Sequence, residues 1–332
     1  MNRVISRLQI VMLEHRTIRA IVWFVAIGAL IYLTSAFWFG WQEAVMAFTA
    51  LGLKTLVVGA ILSSTSYLWR FGRWEYSLRY LRNTVPVFLN LGVYLAGLAL
   101  TATPGKAGET FRSALLIHHG VKASQSLAAF LVDRGTDVLG VILLGTLSSI
   151  MLGQHVAGLW LFSFVAIFLG SCLFAYTLSK PSGKVFWSRL DCLKKWVPVE
   201  GGKVTLEAWA KVWTLPKVVV FTVVAMFAYG TQALVFSWFC SVLETGISIA
   251  DCILIFVQAT LFGAASMIPG GLGAMEAALV LQLVEHGVSD GVAMSLAISI
   301  RLVTLWFGML LGVLSLLLST QYLKSEQESS ER

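Results

Sequence analysis

The chain has 332 residues, 58% of them hydrophobic and only 12% charged, with a net charge of +7 and a mean hydropathy of +0.81. A soluble core of this length needs more polar surface than the sequence can supply, which excludes a soluble enzyme and indicates an all-α polytopic membrane protein. In such a protein a positive balance belongs to cytoplasmic loops facing anionic headgroups, so nucleic acid is not an expected partner.

In chain order, residues 1–19 carry Arg3, Arg7, Arg16 and Arg19 and read as a cytoplasmic amino terminus. The apolar run that follows, 20–39, is too long for a signal-peptide core and has no small-residue cleavage pattern after it, so a retained helix is expected. Further runs of about 20 apolar residues, the length a span requires, lie near 44–69, 84–103, 124–150, 157–179, 217–243, 249–268 and 291–319. Two shorter apolar pieces, near 108–120 and 273–286, directly follow the third and seventh of these runs.

Loop charge fixes the direction of each run. The amino terminus, the 70–83 loop (Arg70, Arg73, Arg79, Arg82) and the lysine-rich 180–217 segment are basic and are expected inside. The segments 40–43, 244–251 and 285–290 carry Glu43, Glu244, Asp251, Glu285 and Asp290 without Lys or Arg and are expected outside. Eight plain crossings would put the basic 180–217 segment outside. The conflict disappears if 84–120 and 249–286 are re-entrant hairpins that enter and leave on one side. The expected fold is about six full spans plus two re-entrant helical hairpins, in one membrane domain over 20–320, with both termini and the 321–332 tail cytoplasmic. Eight plain spans remain the alternative, because 84–103 is long enough to cross alone. Within 180–216, Phe186, Trp187, Trp196 and Trp209 among lysines read as helices lying on the cytoplasmic leaflet.

The two hairpin tips resemble each other. Pro104-Gly105-Lys106-Ala107-Gly108 precedes Glu109, and Pro269-Gly270-Gly271-Leu272-Gly273 precedes Glu276; Arg134 and Arg301 follow about thirty residues past each proline. Proline stops a helix and glycine permits the φ > 0 geometry of a sharp reversal. Irregular backbone at membrane depth is tolerated only where protein buries it or it lines a wet cavity. Two tips entering from opposite faces make an inverted repeat, an arrangement of transporters whose substrate site lies where the tips meet. The helix starts after each tip would aim N–H groups at that site and favour an anion.

Lys54, Lys106, Glu109, Arg112, Asp133, Arg134, Asp137, Glu276 and Arg301 fall within the apolar runs and hairpins. Charges at that depth are costly and must face one another or a wet cavity. Arg112, Arg134 and Arg301 are the candidates for a lipid phosphate, because a guanidinium fork matches phosphate oxygens. Asp133 and Asp137 sit one helical turn apart and either join the site or neutralise an arginine such as Arg301. Glu109 and Glu276 are placed for gating or proton coupling, or for stabilising the helix starts.

The residues Pro104-Gly105-x-x-Gly108-Glu109-x-x-Arg112, the pair Asp133-Arg134, the Ser266-x-x-Pro269-Gly270-Gly271-Leu272-Gly273-x-x-Glu276 motif, Arg301 and the Trp69-Arg70…Arg73-Trp74 stretch resemble the flippase-like family named for the transmembrane region of lysylphosphatidylglycerol synthase. The likeness covers roughly 18–320. It implies a membrane-embedded translocator that, in bifunctional members, flips aminoacylated phosphatidylglycerol made by a carboxy-terminal transferase. With the chain ending at Arg332, the resemblance is to a stand-alone member without that transferase. It implies an anionic phospholipid or a polyprenyl-phosphate-linked glycan as substrate, envelope-synthesis enzymes as partners, and the cytoplasmic (inner) membrane as location. No cofactor is expected. The four cysteines, Cys172, Cys192, Cys240 and Cys252, have neither metal-ligand spacing nor a secreted framework, so no metal is expected either. The rival classes are an integral membrane enzyme on lipid phosphates, with His118 and His119 as its acid–base pair, and a scaffold subunit. The first lacks an Asp-x-Asp or His-Glu-x-x-His cluster, and the second has no need of buried charges.

Overall fold

The computed structural model describes residues 45, 49–101, 110–117, 119–179 and 199–330, the last twelve of these by backbone alone, and every regular element among them is helical. The expected first span and the first tip, with Pro104, Gly105, Lys106, Gly108 and Glu109, lie outside the described residues. Helix α1 runs Thr49–Tyr80, α2 Val87–Leu98, α3 Phe111–Ile117, α4 Ala123–Met151 and α5 Ala157–Ser179. Then come α6 Val199–Val212, α7 Leu215–Val242, α8 Ile249–Ala265, a single 3₁₀ turn at Pro269–Gly271, and α9 Ala274–Glu285. The chain closes with α10 Asp290–Arg301, a π turn at Leu302–Trp306 and α11 Phe307–Ser330.

By length and composition, α1, α5, α7 and the continuous Asp290–Leu318 stretch can each cross a membrane. The most apolar part of α5 buries nothing inside the protein, and Leu159, Phe162, Leu169 and Leu173 on it are exposed. Such a helix is stable only with hydrocarbon around it. The chain is thus a multi-pass helical membrane protein.

Two sequence expectations change. The run 84–103 forms a helix of only 12 residues, opened by Pro86, about 18 Å long and well short of a bilayer core of about 30 Å. The 70–83 segment is not a loop, because α1 continues to Tyr80. Its buried positions, Ser63, Ser66, Tyr67, Arg70, Arg73, Trp74, Ser77 and Leu78, keep a three-and-four spacing straight through the arginines. That spacing defines one helical face against the protein interior, so Arg70 and Arg73 face inward.

Helix α4 is the central element, packed on α5, α6, α7 and α8. Three of its glycines make that contact close. A Cβ at Gly135 would meet the Trp213 ring at 2.6 Å, one at Gly140 the Cβ of Ala225 at 2.5 Å, and one at Gly145 both Trp160 and Val257 at 3.0 Å. Trp209 and Trp213 stack at 4.9 Å and are buried with Ala128, Val132 and Leu139. In the described part of 180–216, Trp209 of α6 and Trp213 just after it turn into the core, while Lys211 stays outside. Residues 180–198 lie outside the described residues.

Helices α8 and α9 pack on each other across the Pro269–Gly271 turn. The reversal needs three glycines with positive φ, Gly270 (62°), Gly271 (64°) and Gly273 (81°). A Cβ at Gly271 would stand 3.3 Å from the backbone of Gly263, so the turn lies directly against α8. With 17 and 12 residues, α8 and α9 are about 25 Å and 18 Å long. In α8 the start is capped by Ser248, whose Oγ accepts from Asp251 N at 3.1 Å.

Candidate functional site

The interior between α1 and α4 is a network of charge. Arg73 is 2% exposed. It donates from Nη2 to Asp137 Oδ1 at 2.6 Å and from Nη1 to Thr136 Oγ1 at 2.6 Å, and its Nε lies 3.9 Å from Asp133 Oδ1. Thr136 can accept because its own proton goes back to Val132 O at 2.8 Å. The second oxygen of Asp137 faces Arg134 Nη2 at 3.1 Å and a long contact from the Tyr229 hydroxyl at 3.4 Å. Asp137 thus spends both oxygens on cations, which is what a carboxylate at this depth requires. The ring of Tyr229 then carries Arg70, whose guanidinium carbon lies 4.4 Å above the centroid.

A second charged centre joins α9, α10 and the tip. Arg301 donates from Nε to Glu276 Oε1 at 2.9 Å and from Nη2 to the carbonyl of Gly270 at 2.5 Å. Glu276 stands in the first turn of α9, so it serves the helix start and the ion pair at once. The expectation that Asp133 or Asp137 would neutralise Arg301 is corrected: their partners are Arg73 and Arg134, which α1 and α4 bring closer. Just beyond Arg301 the π turn lets Tyr67 of α1 donate to Thr304 O at 2.5 Å; such turns frequently mark functional sites.

Between the two centres is a cavity of about 320 Å³. Arg70, Arg134, Asp137 and Arg301 line it, with Tyr67, Tyr229, Gln232, Thr260 and Thr304 supplying neutral polar groups and Gly270 and Gly271 of the tip closing one side. Leu98, Val138, Val141, Phe256 and Leu261 complete an otherwise apolar wall. Gln232 is fixed by donating to Ser66 Oγ at 3.0 Å. A larger groove of about 500 Å³ lies between α1 and α7; its wall is mostly apolar, with Trp69, Tyr76, Pro216 and Val220, and also includes Arg73 and Lys217. Arg73 is already held by Asp137 and Thr136, and more polar groups converge on the smaller cavity, so the smaller cavity is the candidate.

Of the residues singled out in the sequence, Arg134, Asp137 and Arg301 face this cavity, as do Gly270 and Gly271. Glu276 stands behind Arg301, and Pro269 and Gly273 shape the turn. Asp133 is fully buried behind Arg73. Arg112 is also fully buried, but its guanidinium sits among aromatic rings, 4.0 Å from the centroid of Tyr94 and 5.2 Å from that of Trp74. Gly97 makes room for it, since a Cβ there would overlap the arginine side chain. Glu109, Pro104, Gly105 and Gly108 lie outside the described residues, as does His118; His119 is exposed at the end of the α3 turn. Arg70, Arg73, Tyr67, Tyr229 and Gln232 were not anticipated. The signal for the first two was the unbroken three-and-four spacing of α1, which has no proline to stop it.

The arrangement can hold an anion. It offers guanidinium groups from three helices, neutral donors, and an apolar wall. Among the described residues no group of three or more His, Cys, Asp or Glu is placed to hold a metal ion. Residues 21–312 match the family described as the lysylphosphatidylglycerol synthase TM region. No curated protein matches the chain.

Proposed function

This chain belongs to the lysylphosphatidylglycerol synthase TM-region family, and from that membership we propose that it is a lipid translocase rather than an enzyme. It moves an anionic phospholipid or a polyprenyl-phosphate-linked lipid across the cytoplasmic membrane for envelope biogenesis, working beside the enzymes that make or use that lipid. The observation that carries this reading is the cavity where Arg70, Arg134 and Arg301 converge beside a broken helix. A phosphate leaving water needs such a place, because guanidinium groups replace its lost hydration, while its chains remain in lipid.

In this reading α2–α3 and α8–α9 are the two re-entrant hairpins of an inverted repeat, opening alternately to each side, and both termini are cytoplasmic. Two observations support it: α2 and α9, of 12 residues each, are too short to cross and α8, of 17, is at the lower limit of a span, and Arg301 ties the second tip to α10 through a backbone carbonyl. Glu276, held by that arginine, is the group placed to exchange a proton as the tip moves.

The test is reconstitution in liposomes containing fluorescent phosphatidylglycerol or a polyprenyl-phosphate sugar, with outward movement followed by loss of signal to an external quencher. Movement that Arg301→Ala abolishes is expected. If no lipid moves, or if the variant inserts normally and moves lipid at the wild-type rate, the translocase reading or its site assignment fails.

A further inference from the structure

The charges around the cavity are unequal in one respect. Arg73 and Arg134 are balanced by Asp133 and Asp137, and Arg301 is balanced by Glu276. Arg70 has no ion-pair partner among the described residues, although it is 7% exposed and lines the cavity. Its Nε has no hydrogen-bond partner. Among the described residues the group in contact with its guanidinium is the face of Tyr229 at 4.4 Å, and that ring is in turn steadied by its hydroxyl at Asp137. Stacking leaves the edges of a guanidinium, where all its N–H groups are, free for a planar or tetrahedral oxyanion.

We propose that Arg70 is the primary ligand of the transported headgroup and that the group it takes is a singly charged phosphodiester. The inference rests on the translocase reading and adds the ligand class. Among the described residues Arg70 leaves one positive charge in this low-dielectric cavity without an ion-pair partner, and that charge favours one negative charge. A second negative charge, as on a diphosphate or a phosphomonoester dianion, would have to displace Asp137 or Glu276 from an arginine, and that exchange breaks a buried pair. Arg134 and Arg301 then orient the phosphate while remaining on their carboxylates. Phosphatidylglycerol and a polyprenyl phosphate esterified to a sugar share this chemistry; a polyprenyl diphosphate does not.

The experiment is equilibrium lipid binding to the delipidated full chain by native mass spectrometry, using four probes: phosphatidylglycerol, a polyprenyl-phosphate hexose, a polyprenyl diphosphate and phosphatidylcholine. The wild type is expected to retain one or both phosphodiesters and to discriminate against the diphosphate and the zwitterion. Which phosphodiester it retains identifies the source. Arg70→Gln should weaken that binding by about tenfold or more, the loss of one charge-assisted contact to phosphate. It should leave the thermal midpoint close to wild type, because no carboxylate is orphaned. Arg70→Lys should recover part of the loss. Preference of the wild type for the diphosphate overturns the charge argument whatever the variants do. Unchanged phosphatidylglycerol binding by a folded Arg70→Gln overturns the residue assignment. Retained, Arg70-dependent binding without movement in liposomes would instead sink the translocase reading and leave the phosphodiester site standing.

Discussion

Arg73→Gln is the sharpest probe of the charge network. In the wild type Arg73 supplies the 2.6 Å contact to Asp137, the 2.6 Å bond to Thr136 and the 3.9 Å approach to Asp133, and its side chain is 1% exposed. After substitution Asp137 keeps Arg134 at 3.1 Å, while Asp133 loses its ion-pair contact among the described residues. Removing one member of a buried pair costs about 3–5 kcal/mol, because the remaining charge stays buried. For a chain of 332 residues that corresponds to an apparent thermal midpoint lower by roughly 4–7 °C. The midpoint can be read in detergent with a thiol-reactive dye, since Cys240 and Cys252 are 1% and 0% exposed and react on unfolding. The double variant Arg73→Gln/Asp133→Asn removes the orphaned negative charge together with the positive one, leaves the Arg134–Asp137 pair in place, and should regain at least about half of the loss. A shift below about 2 °C for the single variant, or a double variant no better than the single, would refute the claim that Arg73 holds the two aspartates.

Gly140→Ala should destabilise by about 1–3 kcal/mol, because the new methyl meets Ala225 and the backbone nitrogen of Met226 at 2.7 Å. Gly170→Ala, in the exposed middle of α5 with nothing within 4 Å, should stabilise by about 0.5–1 kcal/mol in the same midpoint assay. Tyr67→Phe removes the donor to Thr304 O and should cost about 1 kcal/mol, and lipid movement should fall with it if the π turn positions Arg301. Single cysteines placed at His119 and Gly287, both exposed, should be labelled from opposite sides of the membrane in intact cells; labelling from one side would end the inverted-repeat reading.

Much of the site could be read from the sequence because its signals are local. The Pro269-Gly270-Gly271 turn follows from residue chemistry, and the Asp133–Asp137 spacing places both on one helical face. Arg301 stands out as a cation in an apolar run. The partners could not be read, because pairing is non-local: Arg73 and Asp137 are 64 residues apart in the chain, and Glu276 and Arg301 are 25 apart. Arg70 and Arg73 were missed for a different reason. Counting positive charge assigns arginines beyond an apolar run to a loop, whereas the periodicity of the buried face runs on through them and gives the right answer. The same competition explains Trp209 and Trp213. Tryptophans among lysines fit an interfacial belt, but Gly135 opens a notch on α4 that buries Trp213.

The notches at Gly135, Gly140 and Gly145 recur every five residues, and in an α-helix five residues turn through about 140°. They therefore point in three directions around α4, one toward α6, one toward α7 and one toward α5 and α8. A helix gripped from three sides can neither roll nor slide without withdrawing a neighbour from a notch. This makes α4 the spindle of the molecule, and it carries Arg134 and Asp137 in fixed positions. In the proposed cycle, the movement that exposes the cavity first to one side and then to the other falls to parts that face α4 across the cavity, among them the Pro269–Gly271 turn and the helix that bears Arg301.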